Sequence, residues 1–392
     1  MFQRKLSKTL AGRLIEPRRF IQIVVGPRQT GKTTAVKQAV AQNDLPRRIA
    51  NADEQATLAG SWIEIEWQQA RRLTAQGKPA LLVIDEIQKV AQWSQTVKRL
   101  WDEDSWNDTP LSVVLSGSSS LLIQKGLSES LAGRFEVLRS THWLLSEMSE
   151  AFDYGMEDYL HFGGYPGAAA FKSDPERWIT YMRDSIIEAT VSKDVLQMED
   201  VRKPALLRNL FMLGAQYSAQ EISYRKLLGQ LDDKGNAATM AHYLELLSGA
   251  GLMAGLKKYD PKSLAVRSSS PRLLVRDPSL MTATWGGSMD AFFGNPSLRG
   301  HLVETAVGVN LLARAQTERF EVHWWRDGGA EVDFVVTKDD QLVAIEVKSG
   351  RIKGTKGLTE FCSRFPNAKP LVIGDRNTSI EDFLRGSVPL FD

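Results

Sequence analysis

Residues 26–34 read GPRQTGKTT, and they lie between the strand-like run IQIVV and the helical run TAVKQAVAQ. Two glycines, a lysine and a threonine at this spacing, set between strand and helix, commit the chain to an α/β layer in which a buried strand ends at a helix N-terminus. The glycines let backbone N–H groups turn inward, and the following helix presents its positive end to the same point, which suits an anion. Lys32 is placed to reach the outer phosphates of a nucleotide, and the Thr33 hydroxyl to ligate Mg²⁺. The expected cradle for ATP is Gly26, Pro27, Arg28, Gln29, Thr30, Gly31, Lys32, Thr33 and Thr34. The competing reading, a chance match in a turn, has to explain both flanking elements.

A loop that binds phosphate needs an acid for the metal. ALLVIDEIQK supplies one: Leu81–Ile84 make an apolar run fit for a strand buried on both faces, and Asp85 and Glu86 emerge at its carboxyl end, where open α/β sheets place their ligands. Asp85 is expected to hold Mg²⁺ through water and Glu86 to polarise the attacking water. An acidic loop after a core strand is the plainer alternative. Strand-like runs (IQIVV, ALLVIDEI, LSVVLSG) alternate with helical patterns up to about residue 150, as a parallel sheet requires.

The Asp-Glu pair, followed by VVLSGSSS and LAGRFEVL, resembles the AAA family of ATPases, in the prokaryotic subgroup that carries a C-terminal domain of unknown function. The resemblance implies that Ser116 is the polar sensor near the γ-phosphate, although relatives often hold Asn or Thr there. It also implies that Arg134 stabilises transition-state charge in its own or a neighbouring subunit, against the alternative of a surface ion pair. GGYPG at 163–167 and SKDVLQ around Asp194 extend the likeness over nearly the whole chain. AAA relatives commonly form rings, so a homo-oligomer is implied.

The expected fold class is α/β. An ATP-binding domain spans 1–150, a helical connector 151–205, a winged helix 206–268, and a restriction-endonuclease-like α/β domain 269–392. In the winged-helix stretch, Met240, Tyr243, Leu244 and Leu247 recur at helical spacing and read as core. The third helix, from Ala238 to Ser248, offers Thr239, His242 and Glu245 but no Lys or Arg, so it is poorly equipped to read bases. Lys257, Lys258 and Lys262 on or after the ribbon are the candidates for phosphate contact.

In the tail, EVDFVVTKDDQLVAIEVKSG reads as a hairpin whose symmetric loop puts Asp333 opposite Glu346, with Glu346 and Lys348 on one face. Facing carboxylates repel by up to roughly 1 kcal/mol at a wet surface, so a cation is expected between them. RGHLVETAVGVNLLARA adds Glu304, in line with Gly300, Val307 and Leu311 on an inward-leaning edge. Glu304, Asp333, Glu346 and Lys348, in the order helix, strand, strand, resemble the PD-(D/E)xK nuclease fold. That resemblance implies a Mg²⁺ or Mn²⁺ ion on the three acids and a catalytic role for Lys348. The alternative is a solvated hairpin. Arg351, Lys353 and Lys356 follow as a basic loop that suits a nucleic-acid backbone or is simply solvated.

A net charge of +2 with 24% charged residues gives no global field, so any basic patch is local. One cysteine, Cys362, rules out an internal disulfide framework and fits a reducing cytosol. No run approaches the roughly 18 apolar residues of a membrane span, and the basic N-terminus MFQRKLSKTLAGRLIEPRRF reads as a surface helix before the first strand. The expectation is a cytoplasmic, ATP-hydrolysing AAA-type switch that binds ATP and ADP and acts on nucleic acid. Two alternatives stand beside it: a metal-dependent nuclease gated by ATP, and a signalling ATPase whose tail binds a protein partner.

Overall fold

The computed structural model describes residues 2–54, 59–118, 123, 130–196, 201–231, 236–261, 270–350, 354–374 and 376–391. The chain divides into two compact units, residues 1–141 and 142–392.

The first unit is a five-stranded, all-parallel sheet in the order β2-β3-β4-β1-β5. Its strands are β1 (Ile21–Val25), β2 (Arg47–Asn51), β3 (Ala80–Asp85), β4 (Leu111–Gly117) and β5 (Phe135–Arg139). Its helices are α1 (Lys5–Leu14), α2 (Lys32–Val40), α3 (Ala59–Arg72) and α4 (Trp93–Trp106). Strand alternation splits the apolar runs between two cores. Val24, Val83 and Val114 face α1 and α2, while Ile23, Leu82 and Leu115 face Trp62 and Trp67 of α3 and Trp93 and Trp101 of α4. Parallel strands need both faces covered, which explains why these runs carry no polar alternation. α1 buries Ser7, Leu10, Ala11 and Leu14 and packs on α2, so it is a covering helix of the sheet and not the surface helix its basic composition suggests.

The second unit opens with the helices α5 (Leu145–Phe152), α6 (Met156–Phe162) and α7 (Pro175–Thr180). There follow α8 (Pro204–Gln216), β6 (Gln220–Glu221), α9 (Tyr224–Gln230), α10 (Ala237–Gly249), β7 (Met253–Lys258) and β8 (Arg272–Val275). The helices α11 (Pro278–Trp285), α12 (Met289–Gly294) and α13 (Pro296–Glu318) lead to β9 (Glu321–Asp327), β10 (Ala330–Lys338) and β11 (Gln341–Val347). The chain ends with α14 (Lys356–Arg364), β12 (Ala368–Ile373) and α15 (Ile380–Leu384).

All seven strands belong to one sheet, β12-β11-β10-β9-β7-β8-β6. The expected boundary at 268 cuts this sheet, because β8 lies beyond it and pairs with both β6 and β7. β7 in turn runs parallel to β9, Lys257 beside His323 and Lys258 beside Trp324, which welds the ribbon to the tail hairpin. The hairpin has the expected register. Phe334 faces Ile345 and Lys338 faces Gln341 across a two-residue turn in which Asp339 takes φ +50°, the left-handed conformation such turns use. On its other side β10 carries a bulge between Val332 and Val335, so Asp333 lies where the ladder to β9 is interrupted. Among the described residues no helix is long and apolar enough to cross a membrane.

Candidate functional site

The phosphate loop leaves β1 at Gly26 and enters α2 at Lys32. Gly31, at φ +81°, caps α2 in the left-handed region that side chains resist. A Cβ at Gly26 would overlap the Ser140 carbonyl oxygen of β5's neighbour segment, so close backbone passage also demands glycine there. Lys32 is buried, with its ammonium on the Pro27 carbonyl at 2.7 Å. Thr33 and Thr34 are exposed at the start of the helix.

Three expected residues meet at one point. The Thr33 hydroxyl donates to Asp85 Oδ2 at 2.8 Å, and the Ser116 hydroxyl donates to Asp85 Oδ1 at 2.6 Å. The topology brings this about, since β4 stands between β1 and β3, and parallel strands end their carboxyl termini on one edge. Glu86 takes φ +54°, uncommon for a side chain of this kind, and its backbone N–H donates back to Asp85 Oδ1 at 3.0 Å. Its own carboxylate accepts from Gln88 Nε2 at 2.6 Å and from the Ser118 hydroxyl at 3.0 Å. Gln88 and Ser118 are absent from the residues picked out by motif, although both lie within the quoted stretches ALLVIDEIQK and VVLSGSSS.

A further residue missed by motif is Arg4. Its guanidinium, on a side chain 6% exposed, donates from Nη1 to the Thr30 carbonyl (3.2 Å), the Ser140 hydroxyl (3.1 Å) and the Thr141 carbonyl (3.1 Å). Thr30 itself is fully buried and bonded to Ser140 across 3.1 Å. The back of the phosphate loop is thus tied to the end of β5 through an arginine that precedes α1.

Arg134 stands elsewhere. Its carbonyl accepts from Ile21 N at the amino end of β1, and its guanidinium forks onto Asp102 of α4 at 2.7 and 3.1 Å. The phosphate loop begins at the other end of β1, about 16 Å away at ~3.3 Å per residue. Within this chain Arg134 is engaged in an ion pair with Asp102 and lies at the far edge of the sheet from the phosphate loop. The arginine at the loop's end of β5 is Arg139, exposed and in register with Val25 of β1.

In the second unit, the structure brings Glu304 and Asp333 together around a residue that the motif does not contain. Arg272 of β8, 2% exposed, donates Nη2 to Glu304 Oε2 (3.1 Å) and Asp333 Oδ1 (3.4 Å). Its Nη1 donates to Glu331 Oε1 (3.0 Å) and the Asp333 carbonyl (3.3 Å), and its Nε to the Ala219 carbonyl (2.9 Å). Asp333 Oδ2 accepts from Val347 N at 2.8 Å. Glu346, 8% exposed, is ion-paired with Lys348, and its Oε2 is buried without a described partner. Burial, and secondly the Asp333 charge, push the Glu304 carboxyl above its ordinary range, against the pull of Arg272. Where the sequence suggested a divalent cation on Glu304, Asp333 and Glu346, a guanidinium sits on Glu304, Asp333 and Glu331. Among the described residues no group of three or more His, Cys, Asp or Glu is arranged to hold a metal ion. Of the basic loop, Arg351 and Lys353 lie outside the described residues, as do Lys262 and the Asp194 side chain.

The turn GGYPG has a local partner. Asp277, fully buried, caps α11 through Ser279 N (3.0 Å) and reaches Gly164 N (2.8 Å). A Cβ at Gly163 would overlap that carboxylate, which accounts for the paired glycines. Burial raises the Asp277 carboxyl to about 6 despite these donors, and burial lowers the nearby connector residue His161 to about 4.

Residues 18–149 match the family described as AAA domain. Residues 154–290 and 299–389 match two families described as domains of unknown function, DUF8612 and DUF4143. The chain is 26% identical over 275 residues to an uncharacterised protein of Methanocaldococcus jannaschii. That match covers 65% of this chain and 58% of the relative, so it spans less than two thirds of the relative's length. Among solved structures, the Walker-type ATPase of Pyrococcus abyssi is similar with a TM-score of 0.50 and 15% identity, over 73% of this chain and 96% of that one. At that identity the likeness speaks for the fold alone, a parallel sheet that resembles the one in that structure.

Proposed function

We propose that this chain binds and hydrolyses ATP, as a switch whose first unit holds the nucleotide and whose second unit carries the response. The observation that supports it best is the convergence of Thr33, Asp85 and Ser116 beneath a helix N-terminus entered through a left-handed glycine. The donor set of two hydroxyls and a carboxylate fits Mg²⁺, a hard cation that takes oxygen ligands; Thr33 and Asp85 would hold it. When bound, the ion would offset negative charge on the outer phosphates. Lys32 would leave the Pro27 carbonyl for a phosphate oxygen, a stronger, charge-assisted acceptor. Glu86, steered by Gln88 and Ser118, would orient the attacking water, and Ser116 would sense the outer phosphate.

The test is calorimetric titration with ATP together with phosphate release. The wild type takes up about one nucleotide per chain and releases phosphate, and Lys32→Ala loses at least tenfold in affinity with turnover at background. Unchanged turnover in Lys32→Ala rejects the assignment.

For the target we propose nucleic acid. The order helix, strand, helix, helix, strand, strand from α8 to β8, with β8 paired to both flanking strands, supports the winged-helix reading, and Lys257 and Lys258 of β7 supply basic side chains. Anisotropy of a labelled duplex at low salt checks it; an affinity insensitive to Lys257→Glu and Lys258→Glu turns the reading toward a protein partner.

A further inference from the structure

The nuclease-like arrangement of the tail requires a divalent cation, and the residues present do not fit one. Mg²⁺ demands carboxylate oxygens at about 2.0–2.1 Å in octahedral geometry. The oxygens that would serve, Glu304 Oε2 and Asp333 Oδ1, are both turned to the same nitrogen of Arg272. The second oxygen of Asp333 is bonded to the Val347 amide. Glu346, the remaining acid, is ion-paired with Lys348.

We propose that Arg272 is the resident cation of this cluster: it takes the position a metal would need and closes the tail to metal-dependent phosphodiester cleavage. A guanidinium has five N–H groups in a fixed fork, and here Nε, Nη1 and Nη2 all have acceptors, three of them carboxylates. Nothing about the seat is casual. Arg272 stands on an inner strand of the sheet, next to the edge strand β6, opposite Glu221 of β6 on one side and Leu256 of β7 on the other. Its backbone cannot withdraw without opening two ladders. A second arginine extends the neutralisation, since Arg326 bonds Glu221 at 2.7 Å and also pairs with Glu331. The cluster therefore satisfies Glu304, Glu331 and Asp333 from within, as an internal ion network that joins β8, α13 and β10, and leaves Glu346 outside that network, paired with Lys348 and with its Oε2 buried without a described partner. This assignment concerns the second unit and stands whether or not the first unit hydrolyses ATP.

The experiment measures Mn²⁺ uptake by the full chain, by the loss of the free-ion electron paramagnetic resonance signal. A parent carrying Asp85→Asn silences the phosphate-loop acid. In that parent, adding Glu304→Gln is expected to change Mn²⁺ uptake less than twofold, because no ion depends on that carboxylate; a tenfold loss overturns the proposal. Adding Arg272→Met, with folding verified by circular dichroism, is expected to create one Mn²⁺ site per chain that binds at least tenfold more tightly than the parent and that Glu304→Gln then removes. A folded Arg272→Met chain with no gain overturns it equally. Should Arg272→Met not fold, the Glu304→Gln comparison decides alone.

Discussion

Arg4 gives the sharpest test of how the phosphate loop is held. The residue lies outside the stretch that matches the AAA domain, yet its Nη1 and Nη2 make four hydrogen bonds of 3.1–3.4 Å to Thr30, Ser140 and Thr141. Arg4→Met keeps the apolar stem and removes the guanidinium. The Thr30 and Thr141 carbonyls then lose a charged donor, and each buried acceptor left unmet costs about 1–3 kcal/mol. The longest contact, to the Thr141 hydroxyl at 3.4 Å, adds little. Part of the loss is recovered when the loop shifts toward water. About 1.4–2.8 kcal/mol should remain as the cost of re-ordering the loop around a phosphate, or ten- to a hundredfold in nucleotide Kd. Since Arg4 touches neither Asp85, Glu86 nor Ser116 in the described contacts, KM should rise by that factor while kcat moves less than threefold. Arg4→Lys, with a charge but no fork, should fall between. Titration calorimetry with a non-hydrolysable ATP analogue, run beside a thermal melt, reads the effect. A folded Arg4→Met chain whose Kd stays within twofold of wild type refutes the clamp.

Two further outcomes follow from the geometry. Arg134→Ala should leave kcat of the dilute chain within threefold, because the guanidinium is forked onto Asp102 at the amino edge of the sheet, and a half-exposed pair of this kind contributes at most about 1 kcal/mol; a hundredfold fall in steady-state phosphate release would refute the placement. Asp277 and His161 should oppose each other in acid. The buried Asp277 carboxyl is raised to about 6, so the folded chain binds the proton first, and this group adds stability as pH falls from about 6 to its ordinary value, on the order of 3 kcal/mol. His161, lowered to about 4, does the reverse: the unfolded chain takes its proton first, and stability is lost as pH falls from 6.5 toward 4. Asp277→Asn removes the gain and keeps the loss, so its urea midpoint should fall more steeply than the wild type's between pH 7 and 4. Parallel curves would refute the buried-carboxyl argument.

The phosphate loop was legible because its chemistry is contiguous: nine residues carry the glycines, the lysine and the threonine, and the flanking runs state which element lies on each side. The hairpin register was legible for a similar reason, since a two-residue turn sets every later pair by counting. Arg134 had a signal that its motif obscured. It precedes the run FEVLR, and in a parallel sheet a residue before a strand lies on the opposite edge from residues that follow one. Arg4 and Arg272 had no such signal. Arg4 is one of several basic residues in MFQRKLSKTL and Arg272 a single arginine before the apolar LLV; each is ordinary in sequence and acquires its meaning from partners tens of residues away that only the sheet brings near.

Strand pairing crosses the boundary expected at residue 268, and the reason it was not legible is the one that hid Arg272. Helical and strand patterns report local order, whereas the pairing of β7 with β8 on one side and β9 on the other is long-range and leaves no periodicity of its own. Its consequence is electrostatic as much as topological. β8 supplies the guanidinium that Glu304, Glu331 and Asp333 require, and β8 is held in place by β6 and β7. A fragment begun at residue 269 would retain Arg272 but strip its strand of both ladder neighbours, leaving the cation free to move and three partly buried acids to repel one another. The ribbon and the tail are on this argument one folding unit, joined by an ion network as much as by a sheet, and the carboxylates of the tail can be buried only because the middle of the chain delivers their counter-charge.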